Sequence, residues 1–458
     1  MQSALQHASH HFPDYVQELI DLLKIQSIST DSAYAGEVRR CAVWMADHMK
    51  AIGINKVEVM DTPGHPIVYG EHLVDPSKPT VLVYGHYDVQ PPDPLDLWES
   101  DPFEPIIKED GRIVARGSSD DKGQVFIHLK AIEAYLKTDG VPPLNLKFII
   151  EGEEESGSVN LTPFIEKHKE LLKADVVVIS DTSMFARGVP SITYGLRGLA
   201  YVEVKLTGPD RDLHSGMYGG GIHNPLNALA KMIAGLHDED HQVTIEGFYD
   251  NVLDLTQEER DTFAALPFNP AEWAASVGVD VTKTEGEYTA YEGTSARPTL
   301  DVNGIWGGYQ GEGAKTVLPS YAGAKISMRL VPNQQPDEIT AKIKAYFEAN
   351  VPPTMKLEFK DLHGGKGAIV DTKHPAMQAA AKALEDTYGK KPFFTREGGS
   401  IPVVAEFKEI LGIDTVLMGF GLDEDAIHSP NESFGQDRFR EGILSAIRFL
   451  SHYAETPA

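Results

Sequence analysis

Apolar residues in the first 200 positions follow two alternating patterns. Apolar positions that recur every three or four residues predict helices at 14–25, 36–52 and 123–137. Continuous apolar runs predict buried strands at 81–84, 144–150 and 175–180. Strands that alternate with helices indicate an α/β fold, in which helices cover both faces of a mostly parallel sheet.

The pattern changes near Gly198. Residues 199–207 alternate between apolar and polar types, as a half-exposed antiparallel strand does. Helices are then predicted at 224–237 and 336–349, and strands at 321–330 and 355–361. We therefore expect an inserted α+β domain at 199–362, within a first domain made of residues 1–198 and 363–458. Helices at 374–388, 400–411 and 436–453 and a strand at 413–418 would complete the first domain.

Composition restricts the class of protein. A chain of 458 residues is long enough for two domains. Its net charge of −27 argues against a nucleic-acid or anionic-membrane partner, because both bind basic surfaces. The single cysteine, Cys41, suits a reducing compartment, and the first residues lack the basic and apolar regions of a signal peptide. We expect a cytoplasmic protein that binds neither nucleic acid nor membrane.

Polar residues follow each of the three predicted strands. His86 and Asp88 come after the first strand, Glu154 and Glu155 after the second, and Asp181 after the third. The carboxyl ends of parallel strands meet at one edge of a sheet, where ligands bind in open α/β folds. We therefore expect these side chains to converge.

Two further segments complete a candidate metal centre. Asp120 and Asp121 lie in a Gly/Ser-containing loop, and His428 lies near the C-terminus. Two imidazoles and several carboxylates suit two divalent ions that share a carboxylate, and mixed nitrogen and oxygen donors favour Zn²⁺, Mn²⁺ or Co²⁺. In such a centre, one residue of the Glu154-Glu155 pair can bind metal while its neighbour acts as a base.

Other interpretations of the same residues remain open at this point. Acidic runs such as 151–155 are often solvated surface, and Asp120-Asp121 could cap the helix at 123–137. Two catalytic alternatives fail on sequence. The chain has no G-x-S-x-G elbow for a Ser-His-Asp hydrolase, and the spacing at Gly364-Gly-Lys-Gly does not match a P-loop.

Five segments resemble motifs of the M20 family of metallopeptidases, with matching order and spacing. They are Gly85-His-Tyr-Asp, Arg116-Gly-Ser-Ser-Asp-Asp-Lys-Gly, Glu151-Gly-Glu-Glu-Glu-Ser-Gly-Ser, Ser180-Asp181 and Ile427-His-Ser-Pro-Asn-Glu. Four more segments resemble the branch of carnosinase-like, nonspecific dipeptidases. They are Asp212-Leu-His-Ser-Gly, Lys315-Thr-Val-Leu-Pro, Met328-Arg-Leu-Val-Pro and Arg396-Glu-Gly-Gly-Ser-Ile-Pro.

The resemblance implies a two-metal dipeptidase with a catalytic domain and a lid and dimerisation domain. His86 and Asp181 would hold one divalent ion, Glu155 and His428 would hold the other, and Asp120 would bridge them. The ions would be Zn²⁺ or Mn²⁺, with Co²⁺ as an alternative. Asp88 would orient His86. Glu154 would be the general base for a metal-bridging hydroxide that attacks the peptide bond of a dipeptide.

The resemblance also implies an outer group of residues. His214 would act across the subunits of a homodimer and stabilise the oxyanion. Arg329 would bind the C-terminal carboxylate of the substrate, and Thr316, Gly399 and Ser400 would add contacts. Without the resemblance, a histidine such as His214 is more often a surface or internally satisfied residue, and Arg329 is equally well a salt-bridged residue on a strand.

Two further functions remain in view. An N-acyl-amino-acid deacylase or a carboxypeptidase would use the same metal chemistry on the same scaffold. A non-catalytic binding module on a peptidase scaffold would have lost the base or a metal ligand, and none of these residues is missing from the sequence.

Overall fold

The computed structural model describes residues 1–399 and 401–456. Its strands in chain order are β1 (Lys56–Met60), β2 (Ile67–His72), β3 (Thr80–His86), β4 (Ile106–Ile107), β5 (Arg112–Val114), β6 (Asn145–Glu151), β7 (Val176–Ile179), β8 (Ser191–Leu196), β9 (Gly198–Thr207), β10 (Leu213–His214), β11 (Thr299–Gly307), β12 (Val317–Leu318), β13 (Tyr321–Leu330), β14 (Lys356–Gly365), β15 (Ala368–Ile369), β16 (Phe393–Glu397), β17 (Asp414–Leu417) and β18 (Ser433–Gly435).

The α-helices are α1 (Gln2–His10), α2 (Phe12–Leu23), α3 (Ala35–Ile52), α4 (Lys122–Thr138), α5 (Leu161–Lys167), α6 (Lys169–Leu172), α7 (Ser215–Tyr218), α8 (Pro225–Ala234), α9 (Gln257–Ala264), α10 (Pro270–Ser276), α11 (Ala290–Ser295), α12 (Pro336–Asn350), α13 (Pro375–Tyr388), α14 (Pro402–Glu406) and α15 (Gln436–Ala454). A π-helical turn, Phe407–Leu411, follows α14. No helix in the described part of the chain combines the length and the apolar character needed to cross a membrane.

The chain divides into two compact units. Unit 1 comprises Met1–Tyr194, Val370–Thr395 and Glu406–Ala458, and unit 2 comprises Gly195–Ile369 and Arg396–Ala405. The short second segment of unit 2 differs from the sequence analysis, which assigned residues 363–458 to the first domain. Side-chain contacts explain the difference, because Arg396 forms an ion pair with Glu259 and its carbonyl accepts a hydrogen bond from the Tyr291 hydroxyl.

A mixed sheet organises unit 1. Its strands have the order β1-β2-β6-β3-β7-β17-β8. The central strands β6, β3, β7 and β17 are parallel, whereas β1, β2 and β8 pair antiparallel at the flanks. Every residue of β6 and β7 is buried, as expected for strands that are covered on both faces. The predicted α/β class with a mostly parallel centre is confirmed.

Helix α4 connects this sheet to the loop that carries Asp120. Fourteen of its residues are buried, and it packs against β3, α15, α1 and α2. Its start lies so close to the end of β3 that residue 85 must be glycine. A Cβ atom at Gly85 would lie 2.6 Å from Asp121 Oδ2 and 2.7 Å from Val125 Cγ2.

Unit 2 is built on a four-stranded antiparallel sheet with the order β11-β13-β9-β14. Along β9 buried and half-buried residues alternate strictly, so one face is core and the other is open. The core face packs against α8 and α12 through a cluster that includes Val202, Ile326, Leu229, Ile343 and Phe347.

Several elements of the structure lie outside the predictions from sequence. Helix α1 is one of them, and Ala4, Leu5 and Ala8 form its buried face. Strands β1, β2, β8 and β11 were also not predicted. Between residues 245 and 310, where the sequence shows no clear periodicity, the chain forms α9, α10, α11 and β11.

Candidate metal centre

Three parallel strands of unit 1 end at one place. Strand β3 ends with His86, β6 leads to Glu154 and Glu155, and β7 leads to Asp181. His86 lies opposite Glu151 in the register of β3 and β6. The edge of the sheet therefore gathers imidazole and carboxylate groups that are far apart in sequence.

The first group of potential ligands contains His86, Asp120 and Asp181. His86 Nε2 lies 3.1 Å from Asp120 Oδ1 and 3.8 Å from Asp181 Oδ2. The His86 side chain is completely buried. All three ligand atoms lie within 4.8 Å of one another, which is close enough for one cation to contact all of them.

The second group contains Asp120, Glu155 and His428. His428 Nε2 lies 2.9 Å from Asp120 Oδ2 and 3.3 Å from Glu155 Oε2. Gln90 donates a hydrogen bond of 2.7 Å to Glu155 Oε2 and holds that carboxylate in place. Asp120 belongs to both groups, and each of its two oxygens faces a different imidazole.

The donor set fits a pair of divalent ions. Each group offers one imidazole nitrogen and carboxylate oxygens, a mixture that suits Zn²⁺, Mn²⁺ or Co²⁺ and contains no thiolate. A shared carboxylate between two such groups is the usual arrangement for neighbouring ions. The five residues that the sequence analysis assigned to metal binding are those that the structure brings together.

Asp88 holds both sides of this centre. Its backbone carbonyl lies 3.1 Å from His86 Nδ1, and its Oδ1 lies 3.3 Å from the same atom. Its carboxylate also accepts hydrogen bonds from the backbone N–H groups of Glu154 and Glu155, at 3.3 and 3.1 Å. Nδ1 of His86 is thus kept as a donor, which leaves Nε2 directed at Asp120 and Asp181.

Crowded carboxylates dominate the electrostatics. Burial, together with the charge of Asp120, raises the pKa of Asp181 well above its usual range, and burial with the charge of Asp181 does the same for the pKa of Asp121. Burial also raises the pKa of Glu154 to about 8, and the neighbouring Glu155 adds to this rise. These carboxyl groups therefore retain protons in the absence of cations.

The imidazoles respond in the opposite sense. Burial alone would lower the pKa of His86, but hydrogen bonds to Asp120 and Asp88 raise it well above its usual value. Hydrogen bonds to Asp120 and Glu155 raise the pKa of His428 to about 10. Burial opposes ionisation of Asp120, but its two histidine partners lower its pKa. In the absence of cations, protons on the His86 and His428 rings thus supply the positive charge that bound cations would supply.

Glu432 fixes the loop that carries Asp120, a role that the sequence analysis missed. Its carboxylate is fully buried and accepts hydrogen bonds from Arg116 Nη1 and from the backbone N–H groups of Gly117, Ser119 and Asp120, at 2.8 to 3.1 Å. Both Arg116 and Glu432 belong to motifs that signalled the centre. The sequence did not indicate that these two side chains pair with each other, because 316 residues of chain separate them.

A second acidic clamp supports the same loop. Asp425 is fully buried, accepts a hydrogen bond of 3.0 Å from the Ser119 hydroxyl, and forms a bidentate ion pair with Arg438 of α15. The segment from Asp425 to Glu432 therefore supplies the candidate ligand His428 and two anchors for the loop of Asp120, the residue common to both groups of potential ligands.

Glu153, the extra acidic residue beside Glu154, is bound elsewhere. Its Oε1 accepts hydrogen bonds from the backbone N–H of His65 at 2.9 Å and from Asn160 Nδ2 at 3.0 Å. Its side chain is thus a structural contact between two loops.

A third cluster of potential ligands, Glu18, His48 and Glu133, already contains a cation. The ammonium group of the buried Lys130 forms ion pairs with Glu18 and Glu133 and lies 2.9 Å from His48 Nε2. We interpret this cluster as a structural ion-pair network in the interior of unit 1.

The structure places His214 and Thr316 together in unit 2. His214 pairs with Val317 across β10 and β12, and the backbone N–H of Ser215 donates to the Thr316 carbonyl at 3.0 Å. His214 is exposed, and its Nδ1 accepts a hydrogen bond from the backbone N–H of Gly216 at 3.1 Å. In the neutral ring the proton therefore lies on Nε2, which can donate to a ligand.

Arg329 and Gly399 form a separate group in unit 2. Arg329 lies near the end of β13, opposite Leu199 of β9 and Thr299 of β11. Arg197, two residues before Leu199, donates a hydrogen bond of 3.2 Å to the Gly398 carbonyl and so brings the Gly398-Gly399 loop to this end of the sheet. Ser400, the last of the predicted substrate contacts, lies outside the described residues.

The two groups are anchored at opposite ends of β13. Asp212, next to the His214 segment, accepts a hydrogen bond from the backbone N–H of Ser320, at the Tyr321 end of the strand. Arg329 is eight residues further along β13, a distance of about 26 Å at roughly 3.3 Å per residue. An extended dipeptide spans only about 7 Å, so a single substrate cannot bridge the two ends.

Comparison with known proteins identifies the family. The model for "Peptidase family M20/M25/M40" matches residues 82–455. The chain is 34% identical to the Cys-Gly metallodipeptidase dug1 of Schizosaccharomyces pombe, with 96% of both chains covered. It is 32% identical to the Beta-Ala-His dipeptidase of Homo sapiens, with 99% of this chain and 93% of the relative covered. Among solved structures, the M20 family metallo-carboxypeptidase Sso-CP2 of Sulfolobus solfataricus matches with a TM-score of 0.84 and 34% identity, over 96% of this chain and 99% of the other.

The clamp around Glu432 predicts coupling between stability and metal affinity. In Glu432→Gln, Arg116 loses its buried counter-charge, and we expect the free energy of unfolding to fall by about 3–5 kcal/mol. The loop of Asp120 loses its anchor, and metal affinity should fall about 10- to 100-fold. Urea unfolding and metal titration of the folded variant measure the two effects. Glu424→Gln, an exposed carboxylate bound to Arg187, serves as control. Unchanged metal affinity in Glu432→Gln would contradict the clamp.

The raised pKa values predict that metal binding releases protons. At pH 7 His428, with a pKa of about 10, and Glu154, with a pKa of about 8, are protonated in the metal-free protein. The pKa values of His86 and Asp181 are also raised well above their usual ranges, so we expect release of more than two protons per subunit and a metal affinity that increases with pH. Calorimetric titration of metal-stripped protein in buffers with different ionisation enthalpies measures the number. His428→Ala should release fewer protons, and a heat independent of buffer would refute the assignment.

Proposed function

The chain belongs to peptidase family M20/M25/M40, and from that premise we propose that it is a metal-dependent dipeptidase. The relatives named above hydrolyse Cys-Gly and β-Ala-His according to their names, and both substrates are dipeptides. We propose that two divalent metal ions are bound by five residues, namely His86, Asp120, Glu155, Asp181 and His428.

One observation carries this proposal. The two oxygens of Asp120 face two different imidazoles, at 3.1 Å from His86 Nε2 and 2.9 Å from His428 Nε2. A carboxylate in this position can join two ions, whereas a solvated acidic surface would not place both its oxygens against buried or clamped histidines. We propose Zn²⁺ or Mn²⁺ as the ions, with Co²⁺ as an alternative. When bound, such ions polarise a peptide carbonyl and acidify water.

Glu154 is proposed as the general base and later proton donor. It is adjacent to the ligand Glu155 on a short helical turn that Asp88 holds through two backbone N–H groups. Its pKa of about 8 in the cation-free protein lies close to neutrality. Cations nearby would lower that pKa, so Glu154 could accept a proton from water and give it to the departing amine.

His214 is proposed to stabilise the developing oxyanion. The hydrogen bond from Gly216 leaves Nε2 as the proton-bearing atom of the neutral ring, and the side chain is exposed and available to a ligand. A positioned N–H donor of this kind stabilises a tetrahedral oxyanion more than the planar carbonyl that precedes it.

Arg329 is proposed to bind the C-terminal carboxylate of the dipeptide, a task that suits the planar guanidinium. Gly399 and Ser400 would add contacts from the neighbouring loop, and Thr316 would contribute from the His214 group.

The geometry of unit 2 favours a homodimer. His214 and Arg329 are anchored at opposite ends of β13, yet both are proposed to contact one short substrate. Two copies of the chain resolve this conflict if His214 and Thr316 of one subunit serve the site of the other. Exposed apolar residues next to His214, namely Met217, Tyr218 and Ile222, support a contact surface there.

A carboxypeptidase or an N-acyl-amino-acid deacylase is the second candidate. The similarity to the metallo-carboxypeptidase Sso-CP2 favours the first of these. All three activities act on substrates with a free C-terminal carboxylate, and they differ in whether a free α-amine is required. A panel of dipeptides, N-acetyl dipeptides and longer peptides, assayed on metal-stripped protein reconstituted with one ion at a time, separates them. Hydrolysis of dipeptides alone supports the proposal, and preference for acylated or longer substrates would replace it.

We also propose a cytoplasmic protein. The support is the single cysteine, Cys41, which is buried and unpaired with any other thiol.

Removal of the base should separate metal binding from turnover. In Glu154→Gln we expect both ions to bind, since Glu154 is not a ligand, while kcat falls at least about 100- to 10,000-fold. Metal content is measured by mass spectrometry and turnover with a dipeptide substrate. Glu153→Gln, one residue earlier and bound to a loop, should retain nearly normal kcat. Turnover close to wild type in Glu154→Gln would remove the base assignment.

Exchange of His214 between subunits can be tested with mixed dimers. In a purified dimer of one Glu154→Gln subunit and one His214→Ala subunit, we expect about half of the wild-type rate, because one of the two sites is complete. The control, called the reverse arrangement, is a dimer in which one subunit carries both Glu154→Gln and His214→Ala and the other subunit is wild type. That dimer should be nearly inactive. If the reverse arrangement is active and the first is not, His214 acts within its own subunit.

A further inference from the structure

Arg197 is a buried guanidinium that has no carboxylate of the described residues in ion-pair contact. It lies between β8 and β9 and is 9% exposed. Its hydrogen bonds go to backbone carbonyls alone: Nε to Gly398 at 3.2 Å, and Nη1 to Arg297 at 3.4 Å and to Gly293 at 3.5 Å. In the described part of the chain, no carboxylate lies within ion-pair distance of it. Buried charges are normally paired, so this arginine needs an explanation.

A second guanidinium lies close by. Arg329 is opposite Leu199 in the register of β13 and β9, and Arg197 precedes Leu199 by two residues. Side chains two apart on a strand share a face, so both arginines lie at the same end of the open face of the sheet. Burial, and next the charge of Arg329, lowers the pKa of Arg197 to about 10, and the charge of Asp301 opposes this shift only in part. The two charges repel each other in the absence of an anion.

The loop beside Arg197 leaves room for a ligand. A Cβ atom at Gly398 would lie 2.6 Å from Arg197 Nη2 and 2.6 Å from the Thr294 carbonyl, so only glycine fits between them. The next residue, Gly399, has nothing within 4 Å of its Cβ position. Nη2 donates no hydrogen bond to any described residue. The open space beside Gly399 is therefore close to Arg197 Nη2, a charged donor without a hydrogen-bond partner among the described residues.

We propose that Arg197 is a second anion-binding residue of the substrate subsite, and that it selects with Arg329 for a free C-terminal carboxylate. This inference rests on the proposed function for the identity of the anion. The three carbonyl acceptors orient the guanidinium without neutralising it, so its full charge is available to a ligand. A carboxylate relieves the repulsion between the two arginines, whereas the neutral carboxamide of the same peptide does not.

A structural role alone would make different demands. If Arg197 served only to fasten the loop to α11, its hydrogen bonds would matter and its charge would not. Arg197→Gln keeps donors but removes the charge, and Arg197→Lys keeps the charge but removes the planar fork. The two variants therefore separate the electrostatic role from the fastening role.

The test compares the two variants on a dipeptide and its C-terminal amide. In Arg197→Gln we expect KM for the dipeptide to rise about 10- to 100-fold with kcat changed much less, as for loss of a charged hydrogen bond. Arg197→Lys should recover most of that loss. The amide, assayed as a competitive inhibitor, should bind wild type and both variants about equally. Arg39→Gln, an exposed guanidinium of unit 1, is the control.

Thermal shift provides a measurement that does not need turnover. Glycine, with a free carboxylate, should stabilise metal-loaded wild type more than glycinamide does, and this difference should disappear in Arg197→Gln. Equal losses of acid and amide binding in both variants would overturn the inference and leave a fastening role. Failure of the proposed function appears separately, as wild-type protein that cleaves acylated or longer substrates. The same comparison of acid with amide then tests Arg197 on those substrates.

Discussion

Repulsion between buried carboxylates is the constraint on which unit 1 depends. The parallel strands β3, β6 and β7 direct Asp88, Glu154, Glu155 and Asp181 to one edge, and the loop before α4 adds Asp120. Without cations this arrangement survives because some carboxyl groups hold protons and two histidines take up more. Divalent ions replace those protons. The fold thus favours the binding of positive charge at this edge of the sheet, and the hydrogen bonds of Glu432 and Asp425 hold the loop of Asp120 in place.

Much of this centre could be predicted from the sequence, for a physical reason. Polar residues directly after buried apolar runs must lie at the carboxyl edge of a parallel sheet, so His86, Glu155 and Asp181 could be brought together without coordinates. Asp120 and His428 were candidates by residue type alone, and only the resemblance to a family assigned their roles, because loops have no periodicity. Glu432 escaped notice because its effect depends on hydrogen bonds to a loop 312 to 316 residues away. Such contacts between distant segments leave no local pattern.

The elements of the fold also differ in how far local sequence patterns predict them. Long periodic elements such as β13 and α12 agree with the sequence almost to the residue, since a continuous apolar face determines them. The short flanking strands β1 and β2, and the helices between residues 250 and 298, are determined by tertiary contacts. One such contact is the ion pair of Arg297 and Glu285, which is buried and stacked on Tyr288. The return of Arg396–Ala405 to unit 2 has a comparable cause in the pair of Arg396 and Glu259.

The two imidazoles of the centre differ greatly in access to solvent. The side chain of His86 is 0% exposed, whereas that of His428 is 53% exposed. An ion held by His86 would therefore be more shielded from solvent than an ion held by His428. The two positions should therefore exchange ions at very different rates. The buried position would then retain its first ion while the exposed position exchanged its ion with the solution, and the two positions would hold different metals for a kinetic reason.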